Sequence, residues 1–304
     1  MDNNKVMIVG TGNVGASIAF ALVNQRTAVN ELVLTDIIAK DAEGEAMDLA
    51  DALAVAPSYV KVKSGTYKDA KDCDVVVITA GAAQKPGETR MQLLKKNVNI
   101  LKGMIDQIMA SGFNGIFLVV TNPMDVLTYF TWKFSGLPYE RVIGSGTVLD
   151  SARLKHRIAS YLNVNPKSVH AYQIGEHGDS EFTAWSLADV GGQKVTEMLP
   201  REVLTGISDY VRGEAYQIIE KKGATYYGIA TCVVQILNCI LNDEMRVLPV
   251  SSYDSFSGTC FGWPSVVGRA GVIRRLDVKI SEREGVELQK SVNVLRGAIS
   301  KIKI

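Results

Sequence analysis

Histidine is scarce in this chain, and one of its three histidines lies in a turn rich in glycine and acid. This is His177, in Gly-Glu-His-Gly-Asp at 175–179. Imidazole is the side chain whose unperturbed pKa lets it exchange a proton near neutral pH. Packing gives little reason for an aromatic ring between two glycines. His177 is therefore a candidate general acid or base, and a surface turn residue is the alternative.

A carboxylate and a guanidinium stand one helical turn apart further upstream. Asp150 and Arg153 occur in Asp-Ser-Ala-Arg, near the start of a helix that is predicted to continue to about Leu162. A carboxylate can orient a histidine, and a guanidinium can hold a substrate carboxylate through two hydrogen bonds. The alternative is an i,i+3 surface ion pair, which contributes little to stability.

The N-terminal region carries a glycine-rich turn in the context that dinucleotide binding requires. A predicted strand leads into Gly-Thr-Gly-Asn-Val-Gly at 10–15, and an amphipathic helix follows. Such a turn lets a pyrophosphate approach the helix N-terminus. A second predicted strand ends at Asp36, at the spacing of a carboxylate that binds the adenosine ribose 2′-hydroxyl. The pattern predicts NAD rather than NADP, because this carboxylate would repel a 2′-phosphate. The three motif glycines are Gly10, Gly12 and Gly15.

The elements that would position these residues alternate between strand and helix. Strands are predicted at 5–9, 31–35, 59–64, 74–79, 115–120 and 142–143, and helices after the glycine turn, at 42–54 and at 91–109. This alternation predicts an α/β fold with a doubly wound, six-stranded parallel sheet of the Rossmann type, with ligands at the carboxyl ends of its strands. The pattern changes after Gly144. We therefore predict a NAD-binding domain at 1–144 and an α+β substrate domain at 145–304.

The second half is predicted to contain long helices and short strands. Helices are predicted at 201–223, at 226–242 and after a capping box at 281–284, and strands at 246–250, 259–261, 265–267 and 271–274. The last helix repeats apolar residues at spacings of three and four, which favours core packing over a partner-binding face.

Composition limits the partners and the compartment. The chain has 304 residues, a net charge of +1 and 21% charged residues, so neither a polyanion nor a membrane surface is a predicted partner. No apolar run approaches the ~18 residues of a membrane-spanning helix, and no secretory signal is visible. The four cysteines form no CxxC pair and have no histidine at metal-ligand spacing. We predict free thiols, no metal site and a cytoplasmic protein.

Five segments together resemble the NAD-dependent L-lactate/malate dehydrogenase family over essentially the full chain. They lie at 10–15, 84–90, 121–125, 150–153 and 175–179. The last two are far more specific than the glycine motif. Within the family, the chain looks most like a bacterial L-lactate dehydrogenase, an enzyme of glycolysis and fermentation.

The resemblance implies a role for each matched residue. His177 would donate a proton to the carbonyl oxygen of a 2-keto acid, and Asp150 would orient its ring. Arg153 would bind the substrate carboxylate. Arg90, carried by a loop that is either a lid or a plain connection, would polarise the carbonyl, and Asn122 would bind near the same oxygen and the nicotinamide. Further cofactor contacts are implied for Val14, Tyr67, Gly81, Ala82 and Ser145.

Gln84 is the residue that decides the substrate within this resemblance. Malate dehydrogenases of the family carry arginine at this position, to pair with the second carboxylate of oxaloacetate. Leaving that carboxylate unpaired costs on the order of 3–5 kcal/mol. Thr225 matches the lactate enzymes at the position that faces the substrate methyl group. The prediction is pyruvate and L-lactate; malate dehydrogenase or another L-2-hydroxy acid dehydrogenase is the alternative.

The resemblance also implies oligomerisation and possible regulation. The family forms dimers and tetramers, so a homotetramer is predicted. Many bacterial members are activated by fructose 1,6-bisphosphate, bound between subunits by an arginine and a histidine. His170 matches that histidine, but Lys155 replaces the arginine and lacks its bidentate fork. We predict weakened or absent activation, and His170 is equally compatible with a packed interface.

Two other classes of protein fit this sequence pattern less well. An NAD-dependent glycosidase with a related fold would need a Cys/His metal site, and the histidine cluster contains no cysteine. A catalytically silent NAD-binding protein would have no reason to combine Arg90, Asp150, Arg153 and His177.

Overall fold

The first half of the chain forms a regular alternation of strands and helices. The computed structural model describes residues 4–82, 87 and 89–302. The strands of this half are β1 (Lys5–Val9), β2 (Glu31–Thr35), β3 (Lys61–Ser64), β4 (Val75–Ile78), β5 (Ile116–Val119) and β6 (Val142–Gly144). Its helices are α1 (Asn13–Asn24), α2 (Ala39–Ala52), α3 (Arg90–Ala110) and α4 (Met124–Ser135).

The second half contains shorter strands and several long helices. Its strands are β7 (Val169–His170), β8 (Gln173–Ile174), β9 (Phe182–Thr183), β10 (Asp189–Val190), β11 (Gln193–Lys194), β12 (Arg246–Leu248), β13 (Ser251–Asp254), β14 (Thr259–Gly262), β15 (Ser265–Gly268) and β16 (Gly271–Arg275). Its helices are α5 (Val148–Leu162), α6 (Val195–Met198), α7 (Arg201–Lys222), α8 (Tyr227–Leu241) and α9 (Glu282–Ser300).

The central sheet confirms the predicted fold class. Its six parallel strands lie in the order β6-β5-β4-β1-β2-β3. This is the doubly wound order, in which the chain reverses direction across the sheet between β1 and β4. Consecutive residues of β1 enter opposite cores: Val6 and Ile8 pack on one face, and Met7 and Val9 on the other. Burial on both faces explains why the central strands β4 and β5 are continuously apolar.

The sheet is larger than predicted, because two strands from the second half extend it. β13 pairs antiparallel with β6 through Ser251 and Gly144, and β14 pairs with β13, giving eight strands. The strand predicted at 246–250 is two residues shorter in the structure, because β12 ends at Leu248. β12 pairs with β15 in a separate sheet. Pro249 lies between β12 and β13, and its missing N–H prevents one continuous ladder.

Two other elements differ from the prediction by two or more residues, and two helices, α4 and the short α6, were not predicted. The strand predicted at 59–64 begins at Lys61, and the helix predicted at 42–54 spans Ala39–Ala52. Helix α4 is buried on most of its circumference. It therefore shows no amphipathic stripe by which its sequence could have been recognised.

Helix α9 packs on the body of the protein, as predicted. Ser281 and Glu284 form its capping box. Val292 and Leu295 are buried in the same core as α3 and α4, so its apolar face is core rather than a free surface.

The prediction of free cysteine thiols is confirmed. All four cysteines are buried and free: Cys73, Cys232, Cys239 and Cys260. Burial raises the pKa of Cys73 and of Cys232 to about 12.

No helix within residues 4–302, apart from the undescribed positions 83–86 and 88, has the length and apolarity to cross a membrane.

Candidate active site

The structure brings His177 and Asp150 into direct contact. The Nδ1 atom of His177 lies 2.6 Å from Oδ2 of Asp150. Asp150 is in the first turn of α5 and is buried, whereas the His177 side chain keeps 24% of its surface exposed. The carboxylate therefore faces the interior and the ring remains reachable from solvent. His177 is therefore a partly buried residue with a carboxylate partner and not a fully exposed turn residue.

Local hydrogen bonds hold the two segments together. The hydroxyl of Thr147 donates to the carbonyl oxygen of Gln173 at 2.7 Å, and the N–H of Gln173 donates to Oγ of Ser151 at 2.9 Å. These bonds join the start of α5 to the strand β8 that precedes the histidine. Gly175 then adopts φ +98°, and a Cβ there would lie 2.6 Å from Oγ of Ser291. Glycine at this position lets the chain turn the histidine toward α5.

A second carboxylate fixes the main chain of the histidine. The backbone N–H of His177 donates to Oδ2 of Asp125 at 2.7 Å, and Ser251 donates to Oδ1 at 2.6 Å. Asp125 is the last residue of Thr-Asn-Pro-Met-Asp at 121–125 and lies at the start of α4. Burial raises the pKa of Asp125 to about 7, against the opposing effect of these two hydrogen bonds.

Charge favours the protonated imidazole. The negative charge of Asp150 outweighs burial and raises the pKa of His177 to about 9. Burial alone would raise the pKa of Asp150, but His177 and Arg153 keep it below its usual value. At neutral pH the pair is thus a carboxylate and an imidazolium.

Arg153 shares the carboxylate of Asp150. Its Nη1 lies 3.0 Å from Asp150 Oδ1, and its Nε lies 3.9 Å from Oε2 of Glu214 on α7. The Arg153 side chain is only 8% exposed. The alternative of an exposed surface ion pair is therefore wrong for Asp150 and Arg153.

Another acidic residue, Glu181, lies beside Asp150 and His177. The ligand atoms of Asp150, His177 and Glu181 lie within 4.8 Å of one another. Burial, reinforced by the charge of Asp150, raises the pKa of Glu181 well above its usual value. Gln173 donates from Nε2 to Glu181 at 3.2 Å. Because the guanidinium of Arg153 already contacts Asp150, this cluster is better suited to holding a proton than a metal ion.

The glycine turn has the shape that a pyrophosphate needs. A Cβ at Gly15 would lie 1.9 Å from the carbonyl oxygen of Gly10, and a Cβ at Gly10 would lie 2.6 Å from the nitrogen of Ala80. No described atom lies within 4 Å of a Cβ placed on Gly12. Gly10 and Gly15 therefore close the turn, and Gly12 leaves open space at the N-terminus of α1. These residues fit the phosphate group of a dinucleotide.

Asp36 is held at the end of β2, close to this turn. Its Oδ2 accepts hydrogen bonds from the N–H of Thr11 at 2.7 Å and from its hydroxyl at 3.1 Å, and its Oδ1 accepts from the N–H of Ile38 at 3.1 Å. Burial alone would raise the pKa of Asp36, but these bonds lower it below its usual value. Tyr67 lies near enough that the charge of Asp36 adds to burial in raising the tyrosine pKa.

Most of the remaining predicted cofactor contacts follow the carboxyl ends of parallel strands. Ser145 follows β6 and is buried. Its N–H donates a hydrogen bond to the carbonyl oxygen of Val119 at 2.9 Å. The N–H of Ala82 donates to Asn97 Oδ1 at 2.9 Å, after Gly81 and β4. Asn122 is exposed after β5, and Val14 is half-buried in α1.

Part of the predicted lid is not described, whereas Thr225 and the two predicted allosteric residues are. Gln84 and the side chain of Arg90 lie outside the described residues; the backbone of Arg90 begins α3. Thr225 is half-buried in the turn between α7 and α8. Burial lowers the pKa of Lys155. His170 is exposed on β7, with Nδ1 3.6 Å from Asp189.

Three residues of the site were not identified from the sequence. Asp125 lies inside a quoted motif, yet its partner His177 is 52 residues away. Glu181 lies just beyond the Gly-Glu-His-Gly-Asp segment but outside the motif itself. Glu214 is a single acid in a segment without a recognisable pattern, and only the fold brings it to Arg153.

Comparison with known proteins gives the family. Residues 4–144 match the family model described as lactate/malate dehydrogenase, NAD binding domain. Residues 147–304 match the model described as lactate/malate dehydrogenase, alpha/beta C-terminal domain. The chain is 50% identical over 303 residues to L-lactate dehydrogenase 1 of Peribacillus psychrosaccharolyticus, covering 96% of this chain and 95% of that protein.

Solved structures agree with this result. MGS-M5, a lactate dehydrogenase enzyme from a Medee basin deep-sea metagenome library, has a TM-score of 0.97 at 48% identity over 99% of each chain. The minor L-lactate dehydrogenase of Enterococcus mundtii, in its ligands-bound form, has a TM-score of 0.97 at 46% identity over 100% of each chain. Together with the matched models, these similarities show that the chain belongs to the lactate/malate dehydrogenase family.

Proposed function

We propose that this protein is an NAD-dependent L-lactate dehydrogenase that reversibly reduces pyruvate to L-lactate. The observation that carries the proposal is the contact of Asp150 with both His177, at 2.6 Å, and Arg153, at 3.0 Å. One buried carboxylate thus fixes a proton donor and an anion-binding group side by side. The relatives named L-lactate dehydrogenase support the same activity.

His177 supplies and removes the proton. Because Nδ1 is held by Asp150, Nε2 is the ring nitrogen left to face the substrate. A pKa of about 9 keeps the imidazolium populated at neutral pH, ready to protonate the carbonyl oxygen as pyruvate is reduced. In the reverse direction, the neutral ring accepts the proton of the lactate hydroxyl.

Arg153 binds the substrate carboxylate. Its guanidinium is buried and presents several N–H donors in one plane, which matches the two oxygens of a carboxylate. This interaction orients the 2-keto group toward His177. Arg90 and Asn122 are proposed to contact the carbonyl oxygen, and Gln84 and Thr225 the methyl end.

NAD is held by the first half of the chain. The reduced nicotinamide, when bound, supplies the hydride for the carbonyl carbon. Gly10, Gly12 and Gly15 would accommodate the pyrophosphate, and Asp36 would accept hydrogen bonds from the adenosine ribose. The further proposed contacts are Val14 on α1 and, beyond the carboxyl ends of the strands, Tyr67, Gly81, Ala82, Asn122 and Ser145.

We further propose a cytoplasmic homotetramer with an NAD-binding domain at 1–144 and a substrate domain at 145–304. An exposed apolar face supports subunit contact: Phe20 on α1 is 57% exposed, Met47 on α2 71% and Tyr227 on α8 68%. A groove of about 510 Å³ runs between these three helices. Lys155 and His170 would form at most a weak site for fructose 1,6-bisphosphate.

The test is NADH oxidation with pyruvate and with oxaloacetate, each with and without fructose 1,6-bisphosphate. Pyruvate should lead by about a hundredfold in kcat/KM, because Gln84 offers no charge to a second carboxylate. A lead for oxaloacetate would overturn the substrate proposal. Turnover with neither acid would overturn the enzymatic one.

A further inference from the structure

Two carboxylates of the protein itself lie beside Arg153. Asp150 contacts Nη1 at 3.0 Å, and Glu214 lies 3.9 Å from Nε. The two acids approach from different helices, α5 and α7. The arginine that is proposed to bind the substrate is therefore already paired before a substrate arrives.

The geometry of a guanidinium makes this pairing a constraint on substrate binding. A carboxylate binds in bidentate fashion along one of two edges, formed by Nε with one Nη or by the two Nη atoms. Asp150 takes a nitrogen of the second edge, and Glu214 faces a nitrogen of the first. A substrate carboxylate that binds along either edge must therefore displace one of these acids or bind against its charge repulsion.

Glu214 is the acid that can give way. Asp150 also holds His177 and has a side chain that is 3% exposed, so its displacement would misplace the proton donor. The side chain of Glu214 is 23% exposed, and its contact with Arg153 is the longer one. A partly solvated carboxylate on a long side chain can leave the guanidinium at small cost.

We propose that Glu214 competes with the substrate carboxylate for Arg153 and thereby sets the affinity for the 2-keto acid. This inference rests on the proposed function. Glu214 weakens substrate binding in two ways: it occupies the Nε edge, and its charge repels the incoming anion. The protein thus binds pyruvate less tightly than its arginine alone would allow.

Replacing Glu214 by glutamine tests this directly. In Glu214→Gln, the KM for pyruvate and the Kd of oxamate, a non-reducible isostere of pyruvate, measured on the NADH complex, should both fall about threefold to tenfold. The kcat should stay within about twofold, because ground-state and transition-state binding change together. Glu214→Ala should shift KM in the same direction and serves if the glutamine variant folds poorly.

Glu220→Gln is the matched control. It removes the same charge from the same helix at an exposed position, and its KM should equal that of the unaltered protein. An unchanged or raised KM in both Glu214 variants would overturn the inference, since Glu214 would then be neutral or would position Arg153. Absence of turnover with pyruvate in the unaltered protein would instead overturn the proposed function. The two failures are therefore distinguishable.

Discussion

The backbone N–H of His177 donates a hydrogen bond of 2.7 Å to Oδ2 of Asp125. The same carboxylate accepts a bond of 2.6 Å from Ser251, at the start of β13. One buried side chain thus joins the histidine turn, the start of α4 and the strand that extends the sheet. The position of His177, the proposed proton donor, is therefore tied to a residue for which no role in proton transfer is proposed.

Asp125→Ala should lower both stability and kcat. It leaves the N–H of His177 without its buried acceptor, which costs about 1–3 kcal/mol, and a small displacement of the ring reduces kcat by roughly tenfold or more. Asp125→Asn keeps one acceptor oxygen and can donate to Ser251, so it should restore most of both. Thermal unfolding and steady-state rates measure the two effects. If the alanine variant matches the unaltered protein in both, the carboxylate does not position the histidine.

His177→Asn should separate coenzyme binding from turnover. Asparagine cannot exchange a proton near neutral pH, and a lost general acid costs about 10²–10⁴ in rate. NADH affinity, measured by the fluorescence of the nicotinamide, should be unchanged, because the glycine turn and Asp36 lie elsewhere. Persistent turnover in this variant would mean that another group donates the proton.

The pH dependence should follow the raised pKa of His177. Pyruvate reduction needs the imidazolium, so its kcat/KM should be level at neutral pH and fall as pH rises through about 9. Lactate oxidation needs the neutral ring and should rise over the same range. Asp150→Asn removes the main cause of the shift, so both midpoints should move toward the ordinary value of 6.5. Identical profiles for the two proteins would contradict the assigned pair.

Asp36→Ser should relax the preference for NADH. The charge of Asp36 is stabilised by the N–H groups of Thr11 and Ile38, so a 2′-phosphate would meet a fixed carboxylate. Removing a like charge from such a contact should raise kcat/KM with NADPH by about tenfold or more relative to NADH. The ratio of the two coenzyme efficiencies gives the answer, and an unaltered ratio would place the ribose away from Asp36.

The parallel sheet and the proposed catalytic pair, His177 and Asp150, could be singled out from the sequence for different reasons. Strands buried on both faces produce continuous apolar runs, which a sequence displays directly. His177 and Asp150 stand out because each lies in a short and specific segment. Helix α4 did not stand out, since burial around most of it removes the periodic pattern.

The long-range partners could not be predicted. Ser251 is 126 residues from Asp125, and Glu214 is 61 positions beyond Arg153, so no local pattern connects them. The ends of β12 and β13 depended on which sheet each strand joins, and that is decided by packing rather than by propensity.

The pairing of Ser251 with Gly144 has a consequence for dissecting the protein. A fragment ending at residue 144 would lose β13 and leave β6 as an open, apolar edge strand. Such edges pair with other chains and promote aggregation. The remaining fragment would carry β13 and β14 without the strand on which they form. The coenzyme-binding half therefore cannot be transferred alone to another substrate-binding half. To remain soluble in such a chimera, it must include the β13–β14 hairpin.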